Sequence, residues 1–211
     1  MSVAFGLITA KDVDLETVIS LVDLARDLPD APFIFKTGIY LDDNRNMVVQ
    51  EFMQTDCEWL VFVDSDVKFT PKDVATLLPD SVDAENRCVT GLYLRAAEPL
   101  CPVVYDYNRD TCMFDPIPYE ELLERPRDEQ GYIAVEAAGC GFMGIHRTLL
   151  EEMLEKWLPP TTPFCEPVLN GVHLGEDFGF CARLREMGYH VLANPDVKLG
   201  HLKYIRLHLK D

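Results

Sequence analysis

The sequence predicts an α/β protein with a mostly parallel central sheet flanked by helices. Three observations carry this reading. Short apolar runs alternate with segments of helical period through the first half of the chain. One of those runs, Trp59-Leu60-Val61-Phe62-Val63, is uninterrupted and closed by acids, as a strand buried on both faces is. The chain has 211 residues, 48% of them hydrophobic, enough for a sizeable packed core.

The elements follow in order. The apolar run 3–9 is the first strand. Asp12 is placed to cap a helix carrying Leu15, Val18, Ile19, Val22 and Ala25, whose spacing makes one apolar stripe, and Pro29 and Pro32 end it. Residues 33–40 predict a second strand, 44–55 a second helix and 59–63 a third strand. Pro71 opens a third helix reaching Leu78, and 88–94 predict the next strand. Strands separated by helices require right-handed crossovers, hence the parallel sheet. Prolines 99, 102, 116, 118 and 126 interrupt the pattern, so 96–130 is expected to hold loops, an edge strand and a short helix. Strands over 133–137 and 142–146, a helix over 148–157, a loop over 159–167, a helix over 176–187 stopped by Gly188, and a strand over 189–193 complete the chain.

Charge excludes several functions. Nineteen Lys and Arg stand against 36 Asp and Glu, a net charge of −17, which repels a phosphate backbone and argues against a nucleic-acid partner. No apolar run reaches the ~20 residues that span a bilayer, and no basic stretch precedes the apolar N-terminus. Seven scattered cysteines, never spaced Cys-x-x-Cys, suit neither a zinc cage nor a disulfide framework and predict small buried hydrophobes in a reducing cytoplasm. Against the acidic whole, the end of the chain is basic, with Lys198, Lys203, Arg206 and Lys210. These cations cluster around His201 in sequence and are expected to close over an anion such as a metal-bound diphosphate.

The chemistry concentrates at three places. Asp64-Ser65-Asp66 follows the apolar run. Alternate residues of a strand point the same way, so two carboxylates converge beyond its carboxyl end, where open parallel sheets bind ligands. Two adjacent carboxylates repel one another unless a hard divalent cation joins them. Gly175-Glu176-Asp177 opens a helix after a glycine-containing loop, where the helix dipole favours an ionised carboxylate able to act as a general base. Gly200-His201 supplies an imidazole suited to be a third metal ligand. Trp59, Met153 and Trp157 fall on apolar faces and read as core. Tyr93, Arg95, Tyr105 and Tyr107 are candidates for acceptor contact.

At these residues the chain resembles the nucleotide-sugar glycosyltransferases of the GT-A fold, in the inverting group that contains the family-two enzymes, and within it the short members of bacteriophages and large DNA viruses. The motifs run in order along nearly the whole chain: Asn44-Arg45-Asn46, the strand into Asp64-Ser65-Asp66, Gly91-Leu92-Tyr93-Leu94-Arg95, Gly139-Cys140-Gly141-Phe142-Met143 with Arg147, Gly175-Glu176-Asp177, and Gly200-His201. The resemblance implies one domain over 1–211, with a nucleotide-binding half (1–95) and an acceptor-binding, catalytic half (96–211) bearing a smaller mixed sheet. It implies Mn²⁺ or Mg²⁺ on Asp66, with Asp64 on the donor ribose or the metal and His201 completing the metal site. Thr9, Arg45, Ser65 and Lys203 would serve the nucleotide and its diphosphate. Asp177 would be the base and Glu176 its acceptor-side support.

The implied reaction moves one sugar from a nucleotide-diphosphate sugar, UDP-linked before GDP-linked, to a hydroxyl of a glycan, with inversion, in the cytoplasm (the host's for a viral protein). No clear Gln-x-x-Arg-Trp segment of processive synthases is present, which favours a single addition. Two alternatives differ in class. A haloacid-dehalogenase-type phosphatase also ends a strand in Asp-x-Asp, but its pattern needs Thr or Val where Lys68 stands and places the strand first. A sugar-nucleotide-binding module without turnover would not require a base at Asp177.

Overall fold

A computed structural model of the chain describes residues 2–83, 87–95, 99–157, 162–169 and 171–203. The first half alternates as its pattern requires: β1 (Val3–Thr9), α1 (Leu15–Asp27), β2 (Phe33–Thr37), α2 (Leu41–Phe52), β3 (Trp59–Asp64), the short β4 (Val67–Lys68), α3 (Pro71–Leu77) and β5 (Cys88–Leu92). The second half holds β6 (Val104–Asn108), β7 (Met113–Pro116), α4 (Tyr119–Glu124), β8 (Ile133–Val135), β9 (Ala137–Ala138), β10 (Phe142–His146), α5 (Arg147–Lys156), the hairpin β11 (Val168–Leu169) and β12 (Val172–His173), α6 (Glu176–Glu186), β13 (Val191–Lys198) and β14 (Gly200–His201).

Seven strands form the central sheet in the order β2-β1-β3-β10-β5-β13-β8. β10 and β8 run against the others, which are mutually parallel. The five apolar residues of β3 are fully buried at its middle, alternate ones packing into the cores on the two faces. Each such side chain contributes roughly 1.5–3 kcal/mol relative to exposure. Leu60 and Phe62 meet Val48, Val49 and Phe52 of α2 on one face; Trp59, Val61 and Val63 meet Val74 and Leu77 of α3 on the other. A separate antiparallel sheet, β7-β6-β9, stands beside this frame, and β14 pairs with β4.

Several expectations are corrected. Asp14, not Asp12, precedes the first turn of α1, and its side chain makes no capping hydrogen bond. The stripe of α1 faces outward: Leu15, Val18, Ile19 and Val22 are exposed, while Thr17, Ser20 and Leu24 are buried. The reason is local. Ser20 Oγ accepts the Phe69 N–H at 3.1 Å, Lys68 pairs with Glu16 at 2.6 Å, and the Asp14 N–H donates to the Ser65 carbonyl at 2.8 Å. These contacts draw α1 toward β4 and α3 and away from β2.

Residues 96–130 carry two strands, β6 and β7, instead of one edge strand. Asn44 lies inside α2 instead of opening it, and the last long strand continues past Ala193 to Lys198. Gly188, at φ +85°, stops α6 in the left-handed conformation that favours glycine. Trp59 and Met153 are core residues, and five of the seven free cysteines are buried.

Candidate active site at the carboxyl end of the central sheet

β10 enters the sheet in reverse, next to β3, and so brings Gly139-Cys140-Gly141 to the carboxyl end of β3. The Asp64 N–H donates to the Gly141 carbonyl at 2.9 Å, and the Gly141 N–H donates to Tyr93 Oη at 2.8 Å. A methyl group at Gly141 would stand 2.9 Å from Asp64 Oδ2 and closer still to Tyr93, so only glycine allows this approach. Tyr93 is therefore buried and committed to the frame of the site, its hydroxyl pKa raised far by burial and by the neighbouring Asp64.

Asp64 reaches its position through Arg45. Asn44, Arg45 and Asn46 are three consecutive buried polar residues on α2, and each is satisfied in a different direction. Asn44 donates to the Gly38 carbonyl, and Asn46 exchanges hydrogen bonds with the Phe164 backbone. Arg45, only 2% exposed, donates Nη2 to Asp64 Oδ1 and Nε to Glu176 Oε1, each at 3.0 Å. Its guanidinium lies over Phe62 at 5.2 Å and near Phe164 at 5.9 Å. Buried and paired on both sides, Arg45 positions the two carboxylates.

Asp66 stands apart from that network. His201 Nε2 lies 3.5 Å from Asp66 Oδ2, and Lys203 Nζ pairs with the same oxygen. Burial raises the Asp66 pKa, but the hydrogen bonds and charges of His201 and Lys203 outweigh it and hold the carboxyl at about 2. His201 Nδ1 donates to the Leu94 carbonyl at 2.6 Å, since a carbonyl can only accept, and its ring meets Tyr93 edge-on. With Nδ1–H committed to Leu94, the hydrogen bond to Asp66 belongs to the doubly protonated ring, whereas a ring without the Nε2 proton presents a lone pair on the Asp66 side, the arrangement of a metal-ligating histidine fixed by a second hydrogen bond. Asp66 and His201 thus fit a hard divalent cation, with Lys203 now supplying the positive charge. Among the described residues no group of three His, Cys, Asp or Glu is placed to hold a metal, and Asp64 Oδ1 is engaged by Arg45.

Beside this pair opens a cleft of about 460 Å³, lined by residues 12–15 with Ser65, Asp66, Leu202 and Lys203. Ser65 contributes its carbonyl to Asp14 and its side to the cleft. Thr9 stands before it: its hydroxyl donates to the Asp12 carbonyl and accepts from the Lys11 N–H, shaping the loop that forms one wall. Sequence reasoning missed Asp12 and Asp14 on that wall, and no spacing rule signals them. Lys198 does not join Lys203. It reaches toward Tyr119, 5.6 Å from its ring, at a separate apolar pocket of about 320 Å³, because the chain turns at Leu199 before β14 begins. Arg206 and Lys210 lie outside the described residues.

Glu176 and Asp177 begin α6 as expected. Glu176 is buried on Arg45, whereas Asp177 retains a partly exposed face. Burial and then the adjacent Glu176 push the Asp177 pKa up to about 6, more than Arg45 and the Phe178 N–H lower it. The shift narrows the margin but leaves the carboxyl mostly ionised at neutral pH, with desolvation acting against the helix dipole. Asp177 also raises the Tyr105 pKa, as burial does first, and Tyr105 packs edge-on against Phe178 at 4.8 Å. Tyr105 therefore borders the carboxylate, whereas Tyr107 lies beneath the Arg185 guanidinium at 3.6 Å.

The fold is a glycosyltransferase-like α/β fold: a mostly parallel central sheet between helices, with smaller antiparallel sheets beside it. The chain is similar over 100% of its length, and 99% of the other's, to A197 from STIV, with a TM-score of 0.55 and 19% identity. It is similar over 95% of its length to GalNAc-T7, a structure with UDP, GalNAc and Mn²⁺, with a TM-score of 0.54 and 14% identity, and spans 43% of that chain. At these identities the likeness concerns the fold. No protein-family model matches the chain, and no curated protein does.

Proposed function

We propose that the protein is a metal-dependent glycosyltransferase that moves a single sugar from a nucleotide-diphosphate sugar, UDP-linked in preference to GDP-linked, to a hydroxyl of a glycan acceptor with inversion at the anomeric carbon. The observation that carries the reading is Asp177: a partly exposed carboxylate with a pKa raised to about 6, seated on a helix start beside a buried partner. A group that titrates just below neutrality, held by a rigid element, is suited to remove a proton in the transition state. GalNAc-T7 with UDP, GalNAc and Mn²⁺ shares this fold, which supports the donor class and the metal. Seven free cysteines, five of them buried, favour a reducing cytoplasm as the place of action. No helix among the described residues is long and apolar enough to cross a membrane.

In this mechanism Asp66 and His201 hold Mn²⁺ or Mg²⁺, which when bound offsets negative charge on the departing diphosphate. Lys203, released from Asp66, gives its ammonium to the same phosphates. The walls around residues 12–15 and Ser65 receive the nucleoside. Arg45 fixes Asp64 toward the donor ribose and Glu176 under the acceptor side, so the distance between donor and base is set by one rigid bridge. Asp177 takes the proton of the acceptor hydroxyl as its oxygen attacks the anomeric carbon from the face opposite the diphosphate.

The test is a thermal-shift screen of nucleoside diphosphates and their sugars with and without Mn²⁺, followed by NMR of the product. A ligand at ~100 times its dissociation constant adds ~2.7 kcal/mol. Metal-dependent stabilisation by a sugar nucleotide, with a product of inverted configuration, is expected. Binding without transfer or donor hydrolysis would identify a binding module, and phosphate release from simple phosphomonoesters alone a phosphatase.

A further inference from the structure

The outward stripe of α1 is a helix face without a partner. Leu15 is 72% exposed and Ile19 51%, and they project from the surface as knobs. Beside them, between α1 and β2, runs an apolar groove of about 440 Å³ whose walls are Val18, Val22 and Ala25 on the helix and Phe33 and Phe35 on the strand. The buried side of the same helix carries Thr17, whose hydroxyl has no hydrogen-bond partner among the described residues, and Ser20. A helix that points hydroxyls inward and branched aliphatics outward is arranged for a second surface.

We propose that this face is the interface of a homodimer, with α1 of one copy laid antiparallel against α1 of the other about a two-fold axis. A two-fold interface must be complementary to itself, and here knobs and hole lie on one patch: Leu15 and Ile19 of each copy enter the groove of its partner. The charges agree. Lys11 and Asp12 stand just before the helix, and Arg26 and Asp27 lie at its end. An antiparallel crossing brings each pair against its opposite in the other copy, and sets the helix dipoles in opposition. Leu15, Val18, Ile19, Val22 and Phe35 are all exposed on this one face, a run of large apolar side chains of the kind that marks an interaction surface. The acidic flank of Glu16, Asp23 and Asp27 disfavours an anionic lipid surface as the occupant. Because each copy carries a net charge of −17, the dimer should tighten as salt screens that repulsion. Asp12 and Leu15 border both this face and the cleft beside Asp66, whereas Val18, Ile19, Val22 and Phe35 lie outside that cleft.

Sedimentation velocity from ~1 to ~100 µM in low and high salt tests it. The full chain is expected to sediment at twice its mass of 24.0 kDa, more completely in high salt. Ile19→Glu is expected to raise the dissociation constant at least a hundredfold, whereas Leu123→Glu, at an exposed leucine of α4, leaves it unchanged. Should Ile19→Glu fold poorly by circular dichroism, Phe35→Glu on the opposite wall takes its place with the same expectation. A wild-type chain monomeric at every concentration and salt, association continuing past the dimer, or a dimer indifferent to both substitutions would overturn the proposal. So would a monomer that co-floats with neutral phosphatidylcholine vesicles through the same residues.

Discussion

Asp64 and Glu176 share one buried guanidinium: Arg45 donates Nη2 to the first and Nε to the second, each at 3.0 Å. The end of β3 and the start of α6, distant in sequence, are thereby held in one rigid piece. Removing a single member of such a bridge leaves the others buried and unpaired, which costs more than the bridge contributes.

Arg45→Ala is accordingly expected to lose about 3–5 kcal/mol of stability. Arg45→Lys keeps the charge but not the fork, so it should recover part of the stability and little of the transfer rate. Urea unfolding of both variants measures the first effect. A loss below ~1 kcal/mol in Arg45→Ala would show that the bridge is incidental.

Asp177→Asn keeps the shape and removes the basicity. Transfer should fall by on the order of 10²–10⁴, with donor affinity changed less than about threefold. In the wild type, transfer should decline as pH drops through about 6, where Asp177 takes up its proton. Stability moves the other way. The native pKa lies above the ordinary 3.8, so ionising Asp177 opposes folding, a penalty absent below about pH 4 and complete above about 6. Asp177→Asn should therefore be more stable at pH 8 by on the order of 1–2 kcal/mol, and no more stable at pH 4. Near-normal transfer by this variant, or a product of retained configuration, removes Asp177 from the role of base.

Asp66→Ala should abolish the Mn²⁺-dependent part of UDP or GDP binding in calorimetry, since Asp66 and the neighbouring His201 are the proposed ligands. His201→Ala should weaken it less, because a carboxylate contributes more to a hard cation than an imidazole does. Undiminished metal-dependent affinity in Asp66→Ala would place the metal elsewhere.

Lys203 has two predicted effects of opposite sign. In the free protein its ammonium neutralises Asp66, so Lys203→Ala should let Mn²⁺ alone bind more tightly. With the donor present the same change removes a phosphate partner and should raise the donor dissociation constant at least tenfold, about 1.4 kcal/mol. Equal shifts in both titrations would mean that Lys203 merely offsets charge. Truncation after Gly200 should weaken the donor at least as much, because it also removes His201.

Local pattern alone determined the alternation of strands and helices, the burial of Trp59-Leu60-Val61-Phe62-Val63, the acids that close that run, and the opening of α6 by Glu176 and Asp177. Those features depend on period and on residue chemistry within a few positions, which the order of residues states directly. Tertiary structure decided the rest. That Phe142–His146 is a strand was legible; that it inserts in reverse beside β3, carrying Gly141 onto Asp64, was not, because strand order depends on pairings between distant segments. That Arg45 joins Asp64 to Glu176 was hidden for the same reason, since its two partners lie 3.0 Å away in space and far along the chain. The raised pKa of Asp177 was not legible, because desolvation depends on everything packed around a carboxyl, whereas the sequence announces only the helix start. The stripe of α1 was visible as a period, but periodicity gives the direction of a helix face only relative to the helix itself. Ser20, Glu16 and the Asp14 amide, by bonding to the segment after β3, turned that face away from the core.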